Sequence, residues 1–137
     1  NLNSTTVQPE DKLLVSSVFN GFFQSLNARD EEALMSSTSP LMTQFLGKSN
    51  ATRSDVVTFL HKIYKSGVST MKWQPMDDYK ISKKDIGSQK IEYTVVFSAK
   101  QTVTHDDGSA EDLQYRVNAK VSPEGLISEF NMVKILE

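Results

Sequence analysis

The chain contains no cysteine, which excludes disulfides, thiol catalysis and the thiolate ligands of most structural zinc sites. It also lacks a charge of one dominant sign. Its 15 Lys and Arg against 17 Asp and Glu leave a formal net charge of -2, so nothing steers it toward nucleic acid or anionic lipid. No apolar run approaches the roughly 20 residues of a membrane-spanning helix. No glycine-rich phosphate loop, nucleophile elbow or ligand pair at metal spacing is present, so neither a cofactor nor a metal is expected. What remains is an ordinary globular composition, 38% apolar and 23% charged over 137 residues, which fits one domain with one core.

Residues 1–9 form a polar leader, followed by a single domain over 10–137. A polar start without an initiator Met is what signal cleavage leaves and equally what a trimmed chain shows. The compartment stays open, with a lean toward a secreted or periplasmic mature chain. Asn3-Ser4-Thr5 and Asn50-Ala51-Thr52 fit the glycosylation acceptor pattern, which is too short to carry weight.

Pro9, Glu10 and Asp11 mark a helix start, with a rigid first residue and two acids at the positive end of the dipole. Leu14, Val15, Val18, Phe19, Phe22, Phe23 and Leu26 then recur at spacings of three and four, a wide stripe that must face a core or cavity. Gly21 interrupts it at about 1 kcal/mol relative to Ala and is expected to allow close approach of another backbone. Asp30 caps a short second helix ended by Ser36-Ser37-Thr38-Ser39-Pro40. After the segment 42–46, residues 47–53 read as a loop. Thr52 or Ser54 then caps a third helix whose apolar face holds Val56, Val57, Leu60, Ile63 and Tyr64, with Gly67 as its stop.

From Ser69 the period changes to two. Met71 and Trp73, then Tyr79 and Ile81, mark two shorter strands. Ile91, Tyr93, Val95, Phe97 and Ala99 form the clearest alternating row, matched by Leu113, Tyr115, Val117, Ala119 and Val121. The turn formers from His105 to Ser109 join these rows as a long antiparallel hairpin. Ser122-Pro123-Glu124-Gly125 is a further turn, followed by a last strand from Leu126 to Ile135. The class is α+β, with N-terminal helices packed in a strongly curved antiparallel sheet.

Phe22-Phe23-Gln24-Ser25-Leu26-Asn27-Ala28-Arg29-Asp30, the short second helix, the helix from Ser54 to Tyr64 and the closing turn and strand from Ser122 to Ile127 together resemble the nuclear transport factor 2-like superfamily. The resemblance covers residues 10 to 137. It implies a cone-shaped, cystatin-like roll with a cavity open at one end, and a homodimer formed through the sheet. SnoaL-like polyketide cyclases, scytalone dehydratase and ketosteroid isomerases share that fold. In the isomerase branch a Tyr eight residues before the motif's Asp donates to the oxyanion, and an Asp three residues before a Gly is the base. The matching positions here are Phe22 and Gln44, neither of which can perform those roles.

Other acid-base candidates are thin. His61 lies at the edge of the third helix, His105 with Asp106 and Asp107 reads as hairpin-turn chemistry, and Asp77-Asp78 as a solvated loop. The expected function is therefore binding of a small apolar or amphipathic ligand without isomerase activity. The pocket candidates are Phe19, Phe22, Phe23, Gln44, Phe59, Trp73, Tyr93, Phe97, Tyr115 and Phe130, with Gln44, Tyr93 and Tyr115 as polar handles. Two alternatives stand beside it: a SnoaL-like lyase, isomerase or cyclase with a relocated acid-base pair such as His61 with Glu129, and a dimerisation or protein-interaction domain whose aromatic residues simply fill the core.

Overall fold

The computed structural model describes residues 4–64, 68–76, 78–87 and 90–135. Gly67, the expected helix stop, Asp77 of the acidic pair and Asn3 of the first acceptor pattern lie outside them. Helix α1 spans Pro9–Ala28, α2 Glu31–Ser36 and α3 Arg53–Ile63. Each start is built as its residues dictate. Asp11 accepts the backbone N–H of Gln8 at 2.7 Å, Asp30 that of Ala33 at 3.1 Å, and Asp55 that of Thr52 at 2.8 Å, satisfying donors a helix start leaves open. Helix α1 ends on Arg29, a left-handed residue with φ 57°, whose guanidinium stacks 3.9 Å above the Tyr64 ring.

The strands are β1 (Ser4–Thr5), β2 (Leu41–Phe45), β3 (Lys48–Thr52), β4 (Val68–Pro75), β5 (Lys80–Gly87), β6 (Lys90–His105), β7 (Ala110–Val121) and β8 (Ile127–Lys134). They form one sheet in the order β1-β5-β6-β7-β8-β2-β3. The 16-residue β6 is its spine. Along one side it pairs β5 through its first half and β4 through its second, and along the other it pairs β7 throughout. The expected long hairpin is this β6–β7 ladder, closed by the turn at Asp106–Gly108. Part of the expected leader also joins the sheet, since β1 pairs β5 at Ser4 with Lys84 and Thr5 with Lys83.

Three details differ from the sequence expectation. Residues 48–52, expected as loop, form β3, paired to β2 across a two-residue turn with Leu46 at φ 49° and Gly47 at φ 88°. That geometry matches the twist of a hairpin. The strand escapes pattern reading because it is an edge, with only Ala51 buried in Lys48-Ser49-Asn50-Ala51-Thr52. One ladder is also parallel: β2 joins β8 with Gln44 beside Glu129 and Phe45 beside Phe130, so the curved sheet is mixed at this point. Gly21 differs as well. Nothing lies within 4 Å of where its Cβ would stand, so it permits no close backbone approach among the described residues.

The core lies between the concave face of the sheet and the α1 stripe. Val15, Phe19, Phe22, Phe23 and Leu26 of α1 meet Val95, Phe97 and Ala99 of β6, Val117, Ala119 and Val121 of β7, and Phe130 of β8, all buried. Asn27 fastens the end of α1 to β4. Its side chain donates to the Trp73 carbonyl at 3.1 Å and accepts the Trp73 N–H at 2.7 Å, an amide replacing a neighbouring strand.

Candidate functional site

Eight of the ten pocket candidates belong to one network of touching rings. Phe59 meets Phe45 at 5.6 Å between centroids, Phe45 meets Phe130 at 5.8 Å, and Phe130 meets Phe22 at 5.0 Å. Phe22 continues to Phe23 at 5.8 Å, Phe23 to Trp73 at 6.2 Å, and Trp73 to Tyr115 at 5.5 Å. Phe97 touches both Phe23 and Phe19. Rings at these separations contact each other and make the middle of the cone a packed core.

The two remaining candidates stand apart. Gln44 shares its register row with Glu129 and Lys120, whereas Phe45 shares the row of Phe130 and Ala119 that enters the core. Gln44 is thus on the opposite face, its carbonyl accepting from Asn131 Nδ2 at 3.0 Å, and supplies no handle to the interior. Tyr93 faces inward but is committed. Its hydroxyl donates to Asp11 Oδ1 at 2.6 Å, while Lys83 Nζ donates to Asp11 Oδ2 at 3.0 Å. The Tyr93 hydrogen bond, the Gln8 N–H and Lys83 hold the Asp11 carboxyl at about 2, outweighing the burial that opposes them. Burial first, then the hydrogen bond to Asp11 and the Asp11 charge, pushes the Tyr93 phenol up to about 12. This linkage pins the start of α1 to β5 and β6.

The relocated acid-base pair is not assembled. His61 Nε2 lies 2.7 Å from Glu31 Oε2 on an exposed helix surface, and Glu129 instead accepts from Thr43 Oγ1 at 3.0 Å and lies 4.0 Å from Lys120 Nζ. Among the described residues no group of three or more His, Asp or Glu is placed to hold a metal ion.

Concave space lies farther out, where the second half of β6 projects beyond the ring network. A cleft of about 340 Å³ is lined by Lys62 and Ile63 of α3, Val68 and Met71 of β4, Gln101, Val103 and His105 of β6, and Glu111 and Leu113 of β7. Ile63, Val68, Met71, Val103 and Leu113 give it an apolar wall, and its other four lining side chains are polar or charged. At its rim His105 Nε2 and Glu111 Oε2 lie 3.2 Å apart across the hairpin. At its base Gln101, only 5% exposed, donates from Nε2 to the Met71 sulfur at 3.1 Å and accepts the Tyr115 hydroxyl at 3.2 Å. Burial raises the Tyr115 phenol first, and the nearby Glu111 charge adds to it.

Gln101 is not among the residues the sequence motifs single out, although its position carries a signal. The inward parity of Tyr93, Val95, Phe97 and Ala99 continues to 101 and 103, so a polar side chain at 101 had to enter the core.

No protein-family model matches the chain, and no curated protein matches it in sequence. Solved structures do match in shape. A nuclear transport factor 2-like superfamily protein from Salmonella enterica superposes with a TM-score of 0.73 at 12% identity, covering 92% of each chain. The hexachlorocyclohexane dehydrochlorinase LinA type 2 gives 0.72 at 7% identity, over 93% of this chain and 86% of its own. ActVI-ORFA from Streptomyces coelicolor gives 0.65 at 16% identity, over 93% and 96%. At these identities the likeness establishes architecture, and with helices laid in a curved open sheet along nearly the whole chain, the fold is that of the nuclear transport factor 2-like superfamily.

Proposed function

We propose that this protein binds a small amphipathic molecule in the cleft at the open end of the cone. The observation that carries the reading is the lining itself: an aliphatic wall of Ile63, Val68, Met71, Val103 and Leu113 beneath a rim of Lys62, His105 and Glu111, with one buried amide, Gln101, at the base. Small-molecule sites combine mostly apolar walls with a few placed polar groups, within roughly 300–1,000 Å³. The cleft volume of about 340 Å³ suits a ligand of one or two fused rings. Among the solved structures of similar shape is a dehydrochlorinase, which keeps turnover of a small apolar substrate on the list of assays. Phe22 and Gln44 stand where an isomerase would carry a phenol and a carboxylate, and the proposed role is binding without catalysis.

Native mass spectrometry of the protein from its own host, followed by denaturing extraction, tests the proposal. The expected result is a stoichiometric apolar compound that Leu113→Glu releases while the fold persists. Retention of the compound by Leu113→Glu would place binding elsewhere. A second copy docked on the outer sheet face, where Val133 is 61% exposed beside Arg116, is the proposed protein partner, and sedimentation equilibrium of wild type against Val133→Arg reads it.

A further inference from the structure

Behind the base of the cleft sits a hydrogen-bond donor without a partner. Trp73 is 3% exposed, and its indole Nε1 has no acceptor among the described residues. Trp73 is the next inward residue after Met71 on β4 and lies directly opposite Gln101 in the β4–β6 register. Its ring stacks on Phe23 and meets Tyr115 at a tilt. The groups in front of it are poorly matched too. The Gln101 amide spends a strong donor on a thioether, one of the weakest acceptors a protein offers, at 3.1 Å. Buried donors nearly always find an oxygen, so an indole N–H with none beside an amide paired to sulfur marks a place where donors outnumber acceptors.

From this we infer that Trp73 Nε1 and Gln101 Nε2 form an acceptor-recognising subsite at the base of the cleft, which takes the carbonyl, ether or sulfoxide oxygen of a neutral ligand once the Met71 side chain swings aside. The inference deepens the binding function proposed above and rests on it. Met71 suits the part of a movable cover, since it both lines the cleft and caps Gln101, and its unbranched side chain repacks at little cost. The ligand oxygen is neutral because the subsite consists of an indole, an amide and a phenol. Three uncharged groups in an apolar wall do not compensate the desolvation of an anion. The Tyr115 hydroxyl, donating to Gln101 Oε1 at 3.2 Å, fixes the amide so that its nitrogen faces Met71. The aliphatic wall selects the ligand body, and the subsite selects its polar end.

Trp73 is the single tryptophan of the chain, so its indole N–H gives one resolvable side-chain signal in a nitrogen–proton correlation spectrum. The test titrates wild type with 1-tetralone and with tetralin, two bicyclic probes that differ by one carbonyl oxygen. Tetralone is expected to move the indole signal downfield and to bind about 10- to 100-fold more tightly than tetralin, the worth of one or two buried hydrogen bonds. Trp73→Phe and Gln101→Leu should each reduce that preference for tetralone over tetralin. Equal affinity for both probes with no movement of the indole signal overturns the subsite and leaves the cleft intact as a binding site. Binding of neither probe overturns the subsite together with the binding function. If Trp73→Phe does not fold, the wild-type titration alone decides.

Discussion

The linkage between Asp11, Tyr93 and Lys83 predicts a specific dependence of stability on pH. The Asp11 carboxyl is held at about 2 against its ordinary 3.8, so the folded state prefers the carboxylate. Its contribution is complete above the unfolded value of 3.8 and is lost as the pH falls through 2. Such a displacement is worth on the order of 2 kcal/mol at neutral pH. Asp11→Asn preserves the shape but removes the charge that receives Tyr93 at 2.6 Å and Lys83 at 3.0 Å. We expect a loss of about 2–3 kcal/mol at pH 7, in the range for buried charge-assisted hydrogen bonds. For a chain of this size that lowers the Tm by roughly 6–10 °C. Urea denaturation at several pH values measures it, with unchanged m-values confirming that stability alone has changed. Between pH 4 and 2 wild type should lose its advantage over the variant. Tyr93→Phe should cost less, because Asp11 keeps Gln8 and Lys83, and the double variant should fall short of the sum of the two. An Asp11→Asn protein within about 0.5 kcal/mol of wild type at pH 7, or a constant difference down to pH 2, would refute the reasoning. At the alkaline end the raised Tyr93 phenol makes the opposite contribution, complete below pH 10 and lost as the pH rises through 12.

Three further outcomes are expected. Gly21→Ala should stabilise by about 0.5–1 kcal/mol, read as a higher urea midpoint, because the helix gains propensity and the added Cβ meets nothing within 4 Å. Gly47→Ala should destabilise by about 1 kcal/mol in the same assay, because a side chain is strained at φ 88° even where space is open. His61→Gln should leave stability within about 0.5 kcal/mol and the affinity for tetralin unchanged by calorimetry, since the His61–Glu31 pair is exposed and lies outside the cleft lining. A marked loss of affinity in this last variant would reinstate His61 as part of the site.

The elements that sequence reading recovers are those whose signal is local. The α1 stripe, the Asp30 cap and the paired rows of β6 and β7 each carry their own periodicity or end marker. Strand β3 escapes sequence reading because an edge strand of polar residues has no apolar face to alternate, and Leu46-Gly47 is a weaker turn signal than Asn-Gly. The site was less legible. The aromatic candidates touch one another, but whether rings enclose a space or fill it depends on separations of an ångström, which spacing along a chain does not encode. Gln44 was assigned by counting back from Gly47 and lies on the other face of the sheet, while the partners of Asp11, at positions 83 and 93, are fixed by the fold alone.

The position of β2 has a consequence for how the molecule comes apart. The β6–β7 ladder joins residues adjacent across a short turn, whereas the parallel contact of β2 with β8 closes a loop from position 44 to 129 through two register pairs, with the Thr38–Ile127 bridge beside them. Long closures are entropically costly and form late, and thinly paired segments open at low free energy. The piece from α2 to α3, carrying β2 and β3, therefore forms the weak seam of the cone. Its amides are expected to exchange with solvent hydrogen before those of the central hairpin, a contrast that hydrogen-exchange mass spectrometry reads segment by segment.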